Sequence, residues 1–232
     1  NPAFLRTLGV QSVDDVSQSG LPAMDANRES LKHLMAAVAD GRIAGYETGL
    51  VRADGAQLTI RLHARLVHDE LWRPAYLECI AEDISEQRRL EAERRASERL
   101  LQDVFDFLPD ATLVIDQHGR VQAWNHAIET MTGVPAAEII GKGDYEYALP
   151  FYGVRRPMLV DLVTDPVDGL GDTYAGLQRV GDRLRGEAFT PAVGEGDVFV
   201  AATAGPLYDS DGNLVGAIEC IRDVTDRRRA EE

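Results

Sequence analysis

The sequence predicts an α+β fold built from two related modules, each an antiparallel five-stranded sheet with helices on one face, the first lacking its N-terminal hairpin. Three observations carry this. The stretch "AYLECIAEDISEQRRLEAE" (75–93) matches "GAIECIRDVTDRRRAEE" (216–232). Upstream, Asn1-x-Ala3 followed by Gly9 matches Asn125-x-Ala127 followed by Gly133. Within the first copy, moreover, the apolar spacing switches from helical to alternating. With 232 residues and 44% apolar content, the chain can supply two ordinary cores.

The first copy covers residues 1–84. Leu31, Leu34, Met35 and Val38 recur at helical spacing, with Asp25 and Asn27 available as caps and Gly41 ending the run. Leu58, Ile60, Leu62, Ala64 and Leu66 then alternate with Thr59, Arg61, His63 and Arg65, a strand with one face buried and one wet. "RADGAQ" is the turn before it, and the segments 45–53 and 75–82 complete a three-stranded meander. Residues 85–108 form a connecting helix on which Leu90, Leu101, Val104 and Leu108 fall near three-four spacing, interrupted by Arg94 and Ser97.

The second copy covers residues 109–225. "ATLVIDQHGRVQAWN" (111–125) is a hairpin turning at Gln117-His118-Gly119, followed by a short helix to Met131 and another over 136–140. Three strands follow near 174–189, 197–207 and 214–223, the last two joined by "DSDGN". Residues 226–232 begin an exit helix. Because the chain opens on Asn1 without a Met, it is expected to be a piece of a longer protein.

The formal net charge of −15 disfavours phosphate backbones and anionic lipid, so neither nucleic acid nor membrane is an expected partner. No run approaches the roughly 20 apolar residues of a membrane span, and no signal-peptide pattern opens the chain, so the expectation is a soluble, cytoplasmic piece. Cys79 and Cys220 fall at one position of the Glu-Cys-Ile repeat and are expected to be inert core side chains. "VHDELWRP" (67–74) is a hairpin loop, "GVPAAEIIGKG" (133–143) lacks the spacing of a phosphate loop, and the five histidines show no metal spacing.

The order of hairpin, "WNHAIETMTGVPAAEIIGK", helical middle, three-stranded meander and closing "DVTDRRRAEE" resembles a PAS domain. "NPAFLRTLGVQSVDDV" and "EDISEQRRLEAE" resemble the same family without its opening hairpin, making the chain similar to the tandem PAS sensory regions of bacterial or archaeal sensor histidine kinases. The resemblance implies a homodimer through the 85–108 helix, an output domain in the same chain, and a small-molecule pocket beside residues 141–163. Candidate pocket residues are Trp124, Tyr145, Tyr147, Phe151, Tyr152, Arg155 and Arg156, which favour an anionic or aromatic ligand; the competing arrangement packs these rings on the domain with both arginines on carboxylates. Asp83, Ser85, Glu86, Asp223, Thr225 and Asp226 form the signal-coupling motif, with Ser85 and Thr225 as helix N-caps. The Asn-Cys-Arg-Phe context of flavin-binding members is absent and no His lies beyond residue 126, so neither flavin nor haem is supported and the cofactor stays unknown. No nucleophile-base set supports catalysis by this piece itself; the whole protein is expected to be a sensor kinase or, alternatively, a diguanylate cyclase or transcriptional regulator using a ligand-free scaffold.

Overall fold

A computed structural model describes residues 2–12, 14–15, 42–164, 174–193 and 198–231. The expected helix around 31–38, its caps at Asp25 and Asn27, Gly41 and the repeat residue Asn1 lie outside the described residues. The chain divides into two compact units, Asn1–Glu98 and Arg99–Glu232.

In the first unit, helix α1 (Pro2–Leu8) precedes strands β1 (Arg42–Val51), β2 (Gln57–His68) and β3 (Pro74–Asp83), which pair antiparallel in the order β1-β2-β3. This is the three-stranded meander that the alternation in β2 predicts. Ile60 joins Leu8 and Leu50 in one small core, and Ala64 joins Ile43 in another, while Arg61 and Arg65 face wet partners. The turn between β2 and β3 is closed by Asp69, whose carboxylate accepts from the backbone N–H of Leu71 and Arg73 at 2.9 Å. "VHDELWRP" is therefore a hairpin. Helix α2 (Ser85–Phe107) follows, with none of its residues buried.

In the second unit, β4 (Ala111–Asp116) and β5 (Val121–Trp124) form the expected hairpin. Four short helices follow: α3 (His126–Thr132), α4 (Ala136–Ile139), α5 (Leu149–Tyr152), which a 3-10 turn over Glu146–Ala148 precedes, and α6 (Asp161–Thr164). Strands β6 (Ala175–Val180), β7 (Arg183–Thr190), β8 (Val198–Tyr208) and β9 (Leu214–Asp223) complete a sheet of order β5-β4-β9-β8-β7-β6, and α7 (Thr225–Glu231) leaves it.

Six strands stand where five are expected. The single strand predicted over 174–189 folds back at Gly181-Asp182, pairing Val180 with Arg183. Gly181 sits at φ 65°, a left-handed conformation that glycine adopts without a Cβ clash, and a two-residue Gly-Asp loop suits a tight hairpin.

One face of this sheet carries the core. Leu113 and Ile115 of β4, Ala217 and Ile221 of β9, Val200, Ala202 and Ala204 of β8, and Leu184 and Ala188 of β7 cluster with Ile128, Tyr147, Phe151, Leu159 and Leu162 from the helical middle. The alanines give the sheet a shallow floor, so its volume is filled from above by large side chains of the helical segment.

The register corrects the reading of the cysteines. Cys79 pairs with Ala64 and is exposed, whereas Cys220 pairs with Thr203 on the outer side of the other sheet and is half-buried, so neither is a core side chain. Copy one has one more residue between Glu-Cys-Ile and the motif aspartate, and a one-residue offset in a strand moves every side chain to the opposite face. Aligned on Asp83 and Asp223, the partner of Cys79 is Glu219.

Candidate functional site

Glu219 stands in the middle of the inner face, on the central strand β9, paired with Leu113 on one side and Ala204 on the other. It is 1% exposed. Its Oε2 accepts the backbone N–H of Val160 at 2.8 Å, and its Oε1 has no hydrogen-bond partner among the described residues. Burial pushes its carboxyl up to about 8, with the nearby Asp161 acting in the same direction.

Asp161, at the start of α6, is also buried. Its Oδ2 accepts the backbone N–H of Met158 at 2.7 Å and its Oδ1 accepts the hydroxyl of Tyr147 at 2.5 Å. Burial raises its carboxyl above the ordinary range against these hydrogen bonds. Glu219 thus fastens the 158–161 segment to the central strand, and Asp161 ties the same segment to Tyr147.

Aromatic rings close over them. Tyr147 and Phe151 are fully buried, and Tyr174 nearly so. Tyr174 lies on Gly186 of β7, where an added Cβ would come within 2.9 Å of the tyrosine Cβ. The Tyr152 and Tyr174 hydroxyls are 3.5 Å apart. Burial raises all three tyrosines, and the Glu219 carboxyl adds to the effect on each.

Of the expected pocket residues, the structure brings Trp124, Tyr147 and Phe151 into the core, with Tyr145 and Tyr152 partly buried against it. Trp124 donates its indole N–H to the Val134 carbonyl at 3.0 Å and meets Phe151 edge-on at 6.4 Å. The arginines stay outside that interior. Arg155 is held by Glu146 and Asp144 at the surface, and the Arg156 guanidinium stacks 4.7 Å from the Tyr152 ring. An exposed guanidinium keeps its hydration and finds a carboxylate, while the carboxyls buried here are pushed toward their neutral form.

The signal-coupling residues are arranged alike in both units. Asp83 accepts the Ser85 N–H at 2.9 Å and Asp223 accepts the Thr225 N–H at 2.8 Å. The hydroxyl oxygens reach across: Ser85 Oγ accepts the N–H of Thr59 at 2.8 Å, and Thr225 Oγ1 accepts the N–H of Phe199 at 3.0 Å. The expected N-capping by Ser85 and Thr225 is thereby corrected. A hydroxyl bound to the middle strand is taken from the helix, and the aspartate two residues earlier serves the helix start instead. Glu86 and Asp226 do lie in the first turns, where the helix dipole favours acids.

A second tie was not foreseen. Arg88 donates to Glu47 of β1, at 3.0 Å from Nε, and Arg228 donates to Glu187 of β7, at 3.1 Å from Nε and 2.8 Å from Nη2. These hydrogen bonds hold both glutamates below the usual carboxylate range. Glu47 and Glu187, Thr59 and Phe199, Asp83 and Asp223, Ser85 and Thr225, and Arg88 and Arg228 all stand 140 positions apart. The signal in the sequence is that constant interval, visible only once the aspartates set the alignment.

Replacing Thr225 with Val keeps the shape and removes the acceptor of the Phe199 N–H. The expected cost is about 1–2 kcal/mol in urea unfolding, with Thr225→Ser close to the parent. A valine variant as stable as the parent would show that the hydroxyl does not fasten this junction.

An antiparallel sheet with a helical middle packed on one face makes the second unit an α+β module. The model for the PAS fold matches residues 105–229, more than half of the chain, and the chain belongs to that family. Sensor protein FixL of Bradyrhizobium diazoefficiens is 36% identical over 83 residues, covering 36% of this chain but 16% of that protein's own length. The PAS domain of a protein from Colwellia psychrerythraea is 22% identical, with 56% of this chain and 98% of that one covered at a TM-score of 0.39. The PAS domain of BvgS from Bordetella pertussis is 19% identical, with 58% and 90% covered at a TM-score of 0.39.

Proposed function

We propose that the chain is the tandem, signal-relaying PAS region of a cytoplasmic sensor histidine kinase. Residues 1–84 are a partial module, 85–108 the connecting helix, 109–225 a complete module, and 226–232 the start of the helix toward the output domain. The piece itself carries no catalysis. The observation that carries this reading is the junction repeated at an interval of 140 residues: aspartate to helix start, hydroxyl to middle strand, arginine to neighbouring strand.

Such a junction makes the first turn of the exit helix move with the sheet. In the second unit, β9 carries Glu219 four residues before Asp223, so a ligand that alters the inner face acts on the strand that feeds α7. No helix among the described residues is long and apolar enough to cross a membrane.

Dimerisation through α2 belongs to the same reading. Leu90, Leu101 and Val104 are each more than half exposed, and Leu108 follows on the same stripe. A heptad stripe left exposed among the described residues suits a second copy. The 232-residue chain is expected to be a dimer by native mass spectrometry, with a small molecule retained from the cell. Leu101→Asp with Val104→Asp is expected to give monomers. A chain that carries no molecule would leave a ligand-free interaction scaffold as the better account, and a double variant that stays dimeric would place the interface elsewhere.

A further inference from the structure

The inner face holds two buried acids, and only one of their four oxygens lacks a donor. Glu219 Oε2, Asp161 Oδ1 and Asp161 Oδ2 are each served by an N–H or O–H, while Glu219 Oε1 is buried and unpartnered among the described residues. A buried acceptor left in this way costs free energy unless something supplies a proton or a donor.

From these observations we propose that Glu219 anchors a small organic cation bearing an N–H, a primary ammonium, held between the inner sheet face and the tyrosines of the helical middle. The inference rests on the sensory reading and assigns its ligand a class. A neutral donor would satisfy Oε1 alone, whereas an ammonium also offsets the charge that Glu219 takes on beside Asp161 when it loses its proton. Tyr147, Tyr152 and Tyr174 lie near enough for the Glu219 carboxyl to act on them, and aromatic surroundings attract a desolvated cation. The Ala-rich floor keeps the sheet side low, so the guest's bulk is met by rings.

The groups facing Glu219 are Asp161 from α6, Tyr147 from the 3-10 turn, Tyr152 from α5 and Tyr174 before β6. Without a guest, Glu219 keeps its proton up to a pH of about 8. An ammonium requires the carboxylate, so binding releases that proton. Apparent affinity then falls about tenfold for each pH unit below that point and is level above it.

The test is calorimetric titration and thermal unfolding of the 232-residue chain with n-propylammonium, tetramethylammonium, 1-propanol and propionate at pH 6, 7, 8 and 9. Propylammonium alone is expected to stabilise the chain, with the stated pH slope and proton release that scales with buffer ionisation heat. Glu219→Gln is expected to weaken it at least tenfold and flatten the slope, and its own unfolding curve reports that it is folded. Should the variant not fold, the pH profile of the parent decides. A flat profile overturns the proposal. Binding of propanol or propionate in place of the cation overturns the ligand class while the sensory reading stands. If no probe binds but native mass spectrometry finds a retained molecule, the cation proposal alone falls; if neither is seen, both fall.

Discussion

Glu219→Gln is expected to raise stability at pH 8.5 by several kcal/mol relative to the parent and to leave it nearly unchanged at pH 4.5. The folded carboxyl is raised from an ordinary 4.5 to about 8. Between these two pH values the unfolded chain has lost the proton and the folded chain still holds it, so unfolding releases a proton. Stability from this group is therefore complete below pH 4.5, falls as pH rises through 8, and is level beyond. At about 1.4 kcal/mol per pH unit, the window amounts to roughly 4–5 kcal/mol, an upper figure for a site that can admit water. Glutamine fits the same space without a proton to lose. Urea titrations of both proteins at pH 4.5, 6, 7, 8 and 9, without added amine, should diverge steadily toward alkaline pH. Parallel profiles would mean that Glu219 is ionised in the fold at neutral pH and that its unpartnered oxygen is met by a donor.

Asn125→Ala should lower the unfolding free energy by about 3 kcal/mol, among the larger effects of a single polar truncation. Asn125 is fully buried. Its Oδ1 accepts the N–H of Thr112 at 2.9 Å and caps α3 by accepting the N–H of Ile128 at 3.1 Å. Its Nδ2 lies 3.0 Å from the Asp110 carbonyl, 3.3 Å from that of Phe105 and 3.4 Å from that of Leu108. One amide therefore joins the end of α2, the first residues of β4 and the start of α3. Alanine would leave two donors without acceptors and deprive three carbonyls. Asn125→Asp restores the acceptors and brings a charge against those carbonyls, so it should be no better than alanine. Amide exchange should show Thr112 and Ile128 opening well before the rest of the sheet. A loss under about 1 kcal/mol would mean that water replaces the amide.

The fold was legible where sequence pattern and physics speak the same local language. The alternation in β2 and the "DSDGN" turn both fell where the residues demanded. The extra hairpin was missed although Gly181-Asp182 is a turn signal, because a strand run of about 16 residues was accepted across it. The site was half legible. Tyr147, Phe151 and Trp124 went to the interior because rings concentrate near a core, but the neighbouring arginines did not follow them. Arg155 and Arg156 were adjacent to those rings in sequence, and nearness along the chain is not depth. Glu219 sat inside the repeat itself and was passed over because repetition was read as identity, so its twin seemed to be Glu78. In the structure Glu78 is exposed and bonded to Arg65. Asp161 and Tyr174 could be found only by three-dimensional proximity, since 12 residues separate them and nothing in the pattern links them.

The extra residue that separates the two Glu-Cys-Ile strands has an evolutionary consequence. Along a strand, odd and even positions belong to different environments, so an indel of one residue exchanges everything upstream of it between solvent and interior. A gene can then gain or lose an interior acid with no codon substituted. Families aligned by matching letters would score such a pair as unchanged, while its chemistry had been inverted.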